Sequence, residues 1–175
     1  AIGMRLAQSE ADRRRYASVA IDLYIVFKWA VLICLWQARV NHPLATVLMA
    51  YLIVMNVFVY LYYHVWRSPY DPGRENRRRR FISLLLSMVY NAACYAYLYN
   101  LPFSHDFTIT GPYDTFTATA FLASARSMLV DFPNMAPATA TGHALVLSQT
   151  VVVFLFITIV LSASIPQPNS DNKPD

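Results

Sequence analysis

The sequence predicts an all-α membrane protein: four transmembrane helices with a re-entrant half helix between the third and fourth. Two observations carry this. Hydrophobic residues make up 57% of the 175-residue chain and charged residues 14%, with a mean hydropathy of +0.36. Those apolar residues also fall in four blocks of about 20, enough to cross a ~30 Å hydrocarbon core at 1.5 Å per residue, instead of recurring at helix or strand period.

The blocks are residues 17–38, 44–66, 81–100 and 143–165. Each satisfies its own backbone as a helix, whereas a barrel would need alternating segments of roughly ten residues, and the Val/Leu/Ile/Tyr runs do not alternate. The first block follows a polar arm and lacks a small-residue cleavage pattern at its far end, so it is expected as a retained span. The organisation is a basic arm (1–16), a helical hairpin (17–66), a basic loop (67–80), a region holding the third helix, half helix, loop and fourth helix (81–165), and a tail (166–175) that is polar and expected to be disordered.

Orientation follows from the basic residues. Arg5, Arg13, Arg14 and Arg15 precede the first span, and Arg67, Arg74, Arg77, Arg78, Arg79 and Arg80 lie between the second and third, while Arg39 and Arg126 fall on the other side. The positive-inside rule then puts both termini and the basic loop in the cytoplasm, with a bacterial inner membrane as the expected location. Contact with anionic lipid heads accounts for the net charge of +4. Nucleic acid is not an expected partner. Tyr16, Tyr62, Tyr63, Trp66 and Phe81 are expected at the inner interface and Trp36, Tyr97 and Tyr99 at the outer one.

Residues 101–142 form a link much longer than a helix pair needs, and such links are usually functional. Its first part, "PFSHDFTITGPYD", is rich in turn formers. Asp114 can cap the segment that follows, "TFTATAFLASARSMLV", which is too short and too polar to span. A re-entrant segment and a helix lying flat on the outer surface both fit that local pattern.

The order of an outward helix, a half helix, a short extended stretch, then an inward helix after Pro137 and Gly142 resembles the two-helix pore module of the potassium channel superfamily. The similarity covers residues 81–165. Aligned on Pro137, the family's filter falls on Leu129, Val130, Asp131, Phe132, Pro133 and Asn134, where Val130 matches and Phe132 replaces tyrosine. The filter is degenerate: Asp131 and Pro133 stand at both glycine positions, and the proline ring locks φ near −65°. Leu129 also removes a threonine hydroxyl.

The resemblance implies a homotetramer around the fourth helix. A ring of Asp131 carboxylates would attract monovalent cations with weak selectivity; the other outcome is a packed, non-conducting loop. An alternative of another class is a non-catalytic membrane subunit that anchors or stabilises a larger complex.

Inside the spans, Lys28, Asn56 and Asn91 fall near the same depth, so Lys28 is expected to need acceptors such as the Asn carbonyl oxygens. Interhelical attachment and a sensor-like bundle acting on the pore half both remain open. Asp22, six residues from Lys28, points to a different face. Gln149, Thr150 and Thr158 suit a pore lining or a helix contact equally. Cys34 and Cys94 are expected to be free core residues, with a bridge between the first and third helices as the alternative. His42, His105 and His143 share the outer side without a metal-ligand spacing, and His64 lies on the other, so no metal or cofactor is expected. No nucleophile turn, paired carboxylates or phosphate loop suggests an enzyme.

Overall fold

The computed structural model describes residues 23–62, 74–109, 116–127 and 135–164. Five helices dominate: α1 (Leu23–Gln37), α2 (Pro43–Leu61), α3 (Arg74–Asn100), α4 (Phe116–Ser127) and α5 (Ala140–Ser164). A short 3-10 turn (Ser104–Asp106) and two strands, β1 (Phe107–Ile109) and β2 (Met135–Pro137), complete them. Among the described residues, three stretches are long and apolar enough to cross a membrane: Pro43–Leu61, Phe81–Asn100 and Ala140–Ile159. The chain divides into two units, Ala1–Asn41 and His42–Asp175.

In the first unit, α1 ends in a Schellman motif. Val40 N–H bonds to Leu35 O and Arg39 N–H to Trp36 O, both at 3.1 Å. Arg39 closes the motif at φ 47°, a left-handed position usually filled by glycine. Lys28 is buried, its ammonium 5.8 Å from the ring centroid of Tyr24 one turn earlier, within cation–π range. Asp22 lies outside the described residues.

The second unit holds α2 to α5. His42 caps α2 by accepting the Leu44 N–H at Nδ1 (3.2 Å), with Pro43 at the first helical position, where its missing N–H costs nothing. α3 begins at Arg74, within the segment expected to be a loop. Nothing between Gly73 and Phe81 breaks a helix, and arginine and glutamate favour one, so the basic run continues the span below it.

Two buried polar contacts fix α2 against α3. Asn56 donates through Nδ2 to Ser87 Oγ (2.7 Å), and the Tyr60 hydroxyl meets Ser83 Oγ at 2.8 Å. A step of four residues up one helix is matched by four down the other, which defines an antiparallel register. Extended by the same step, this register sets Ile53 opposite Tyr90 and Met49 opposite Cys94, and all four are buried. Where α5 joins them, Val57, Tyr60, Leu84, Phe156 and Ile159 form one apolar cluster, with the Tyr60 and Phe156 rings 6.3 Å apart.

The long link is more structured than its turn-rich composition suggests. β1 and β2 pair antiparallel, Phe107 opposite Pro137 and Ile109 opposite Met135, so residues 110–134, including α4, leave and return through one narrow ladder. Pro137 fits because it lies at the end of a two-stranded ladder, where a missing N–H is tolerated.

Candidate functional site

The described residues that converge most closely join α3, α4 and α5. α3 is buried at every position from Tyr90 to Tyr99. Ala92 and Ala96 on α3, and Ala120 and Ser124 on α4, are four apart on each helix and all buried. This small-xxx-small spacing lets two backbones approach closely, and Ser124 Oγ donates to the Ala92 carbonyl at 2.6 Å.

Gln149 of α5 completes the junction. Its Nε2 donates to both the carbonyl and the hydroxyl oxygen of Ser124, each at 2.9 Å, while its Oε1 accepts the Tyr99 hydroxyl. Gln149 therefore ties α5 to the last described turn of α4. Ala92 lies about 12 Å along α3 from Asn100, and Gln149 lies about 13.5 Å along α5 from Ala140, at ~1.5 Å per residue.

Above this junction, Asp106 holds the base of the link. Its carboxylate is buried, accepting the Thr139 hydroxyl at Oδ1 and facing His105 Nε2 at 3.3 Å, and its carbonyl accepts Ala138 N–H at 2.8 Å. Thr139 in turn caps α5 by accepting Gly142 N–H at 3.2 Å. A Cβ on Gly142 would meet Asp106 O at 2.6 Å and the Pro137 Cβ at 3.2 Å. Glycine is needed here for close approach, since its φ is not positive.

The filter-like residues Leu129, Val130, Asp131, Phe132, Pro133 and Asn134 lie outside the described residues, as does Asp114. The intramembrane polar residues are described. Lys28 contacts Tyr24, Asn56 contacts Ser87, and Asn91 is buried with no hydrogen-bond partner for either amide atom among the described residues. Of the fourth-helix candidates, Gln149 turns inward. Thr150 and Thr158 are exposed and return their hydroxyls to Val146 O and Phe154 O of their own helix.

Tyr97 and Tyr99, expected at the outer interface, are buried among protein side chains; the Tyr99 hydroxyl reaches Gln149 and its ring packs edge-on to Phe107 at 4.8 Å. Neither cysteine forms a disulfide; Cys34 is exposed and Cys94 buried. The outer histidines have separate surroundings: His42 caps α2, His105 faces Asp106 and His143 is exposed in the first turn of α5. No group of three metal-ligating side chains occurs among the described residues. Sequence alone assigned no role to Ser124 or Asp106 and placed Tyr99 only at the outer interface; the small-xxx-small pairs Ala92/Ala96 and Ala120/Ser124 are the signal that could have found the helix contact.

No protein-family model, curated protein or solved structure matches the chain.

Proposed function

We propose that the chain is a channel-like integral membrane protein with four spans, α1, α2, α3 and α5, and with α4 as a re-entrant half helix leading to the degenerate filter of residues 129–134. The observation that supports this reading is the bond from Gln149 to the Ser124 carbonyl: some 12–13.5 Å along its neighbours, a buried backbone group of α4 is met by protein instead of water. A helix lying flat on the surface would have solvent for that carbonyl and no need of Gln149.

In this reading both termini face the cytoplasm, four copies surround an axis beside α5, and Asp131 forms an acidic ring that draws monovalent cations with weak selectivity. Pro133 at a glycine position argues against a potassium-selective filter. The outward face of α5, with Leu147, Val151, Phe154 and Ile157 exposed, carries hydroxyls already bonded to its own backbone. It can therefore pack on another copy without leaving polar groups unpaired.

The test has two parts. The mass of the detergent-solubilised assembly should correspond to four chains, and a lone copy beside other chains would replace this reading with that of an anchoring subunit. In proteoliposomes, cation flux that falls on Asp131→Asn supports conduction. A tetramer without flux in either form would leave a non-conducting pore homologue.

A further inference from the structure

Five polar residues of α3 form one line. Ser83, Ser87, Asn91, Tyr95 and Tyr99 recur every fourth residue, and at 3.6 residues per turn each step rotates the line by about 40° around the helix. Its two ends are engaged by different helices. Ser83 and Ser87 meet Tyr60 and Asn56 of α2, while Tyr95 and Tyr99 meet Ser148 and Gln149 of α5. Asn91 is the midpoint, turned about 80° from either end, so it faces the seam between α2 and α5. It is 2% exposed, and neither Nδ2 nor Oδ1 has a hydrogen-bond partner among the described residues. The other four members of the line all have one.

The chemistry left open at Asn91 defines what can fill it. Nδ2 offers donors and Oδ1 offers an acceptor, side by side. A cation suits the oxygen and is repelled by the amide hydrogens; an anion has the opposite fault. A small neutral molecule that both donates and accepts serves the whole group, and buried polar groups of this kind are commonly completed by internal water. The spacing suits it too: the Ser87 and Tyr95 positions lie about 6 Å along the axis on either side, close to the span of two hydrogen bonds through one water oxygen.

We propose that Asn91 anchors an internal water site in the seam between α2, α3 and α5, near the middle of the third span. The water completes the polar line from Ser83 to Tyr99, so hydration reaches the centre of the bundle whether or not the protein conducts. The site does not rest on the pore reading.

Water-edited solid-state NMR on the wild-type, 15N-labelled chain in lipid bilayers tests the proposal directly. The side-chain amides of Asn56 and Asn91 are assigned through intraresidue correlations, so no variant has to fold. Magnetisation from water should reach the Asn91 Nδ2 at least threefold faster than the Asn56 Nδ2, which is tied to Ser87. Equal build-up at the two amides, or slower build-up at Asn91, overturns the proposal.

Discussion

Gln149 on α5 donates two hydrogen bonds to Ser124, one to its hydroxyl and one to its backbone carbonyl, and so ties α4 to a different helix. Substituting Gln149→Leu keeps the bulk and removes both donors, together with the acceptor of the Tyr99 hydroxyl. A polar group left unmet in a buried site costs about 1–3 kcal/mol. We expect a loss of that size, read as a lower thermal midpoint in detergent. Thr150→Val, one residue on and exposed, should stay within about 0.5 kcal/mol of the wild type.

Gly142 offers a steric test. The added methyl of Gly142→Ala falls 2.6 Å from the Asp106 carbonyl, a backbone atom that Ala138 and the strand ladder hold in place. Overpacking of this kind costs about 1–3 kcal/mol. The substitution should lower the midpoint and increase proteolysis within residues 110–134, whereas Ala140→Ser, exposed two residues earlier, should do neither.

The α2/α3 register can be measured as a coupling. Double-mutant cycles for Asn56→Ala with Ser87→Ala, and for Tyr60→Phe with Ser83→Ala, should each give about 0.6 kcal/mol, the usual size of an interhelical hydrogen bond in a membrane protein. Crossed cycles, Asn56 with Ser83 and Tyr60 with Ser87, should give smaller couplings. If the crossed pairs couple more strongly, the register is wrong by one turn.

Arg39 predicts a stabilising change. A non-glycine residue in the left-handed region costs roughly 1–2 kcal/mol, and Arg39 is exposed. Arg39→Gly relieves that strain but gives the unfolded chain more freedom, an opposing effect of about 0.4–1 kcal/mol. A net gain of up to about 1 kcal/mol should appear as a higher midpoint, and Arg39→Ala should give none.

Three of the four expected spans were legible because hydropathy acts over twenty residues at once: the third was bounded at 81–100 from sequence, and the candidate span runs Phe81–Asn100. That α4 is a helix was legible too, since its alanines favour one. Contacts made by single residues were not. β1 and β2 are three residues each and pair across nearly thirty positions, a scale at which local propensity carries little signal. Tyr99 looked interfacial because tyrosine has a polar tip, yet that tip is satisfied by Gln149, fifty residues away. Arg74–Arg80 looked like a loop because charge was read as a boundary, although charge ends a membrane span and not a helix.

The account turns on whether α4 descends into the bilayer. A nitroxide carried in turn through positions 117–125, with Cys34 and Cys94 replaced, reports depth from its relative exposure to oxygen and to an aqueous nickel chelate. A re-entrant α4 predicts depth that increases from residue 117 to residue 125, with a slope set by the tilt of a helix rising ~1.5 Å per residue. Depth that oscillates at the helical period about a constant mean would place α4 flat on the surface and contradict the account.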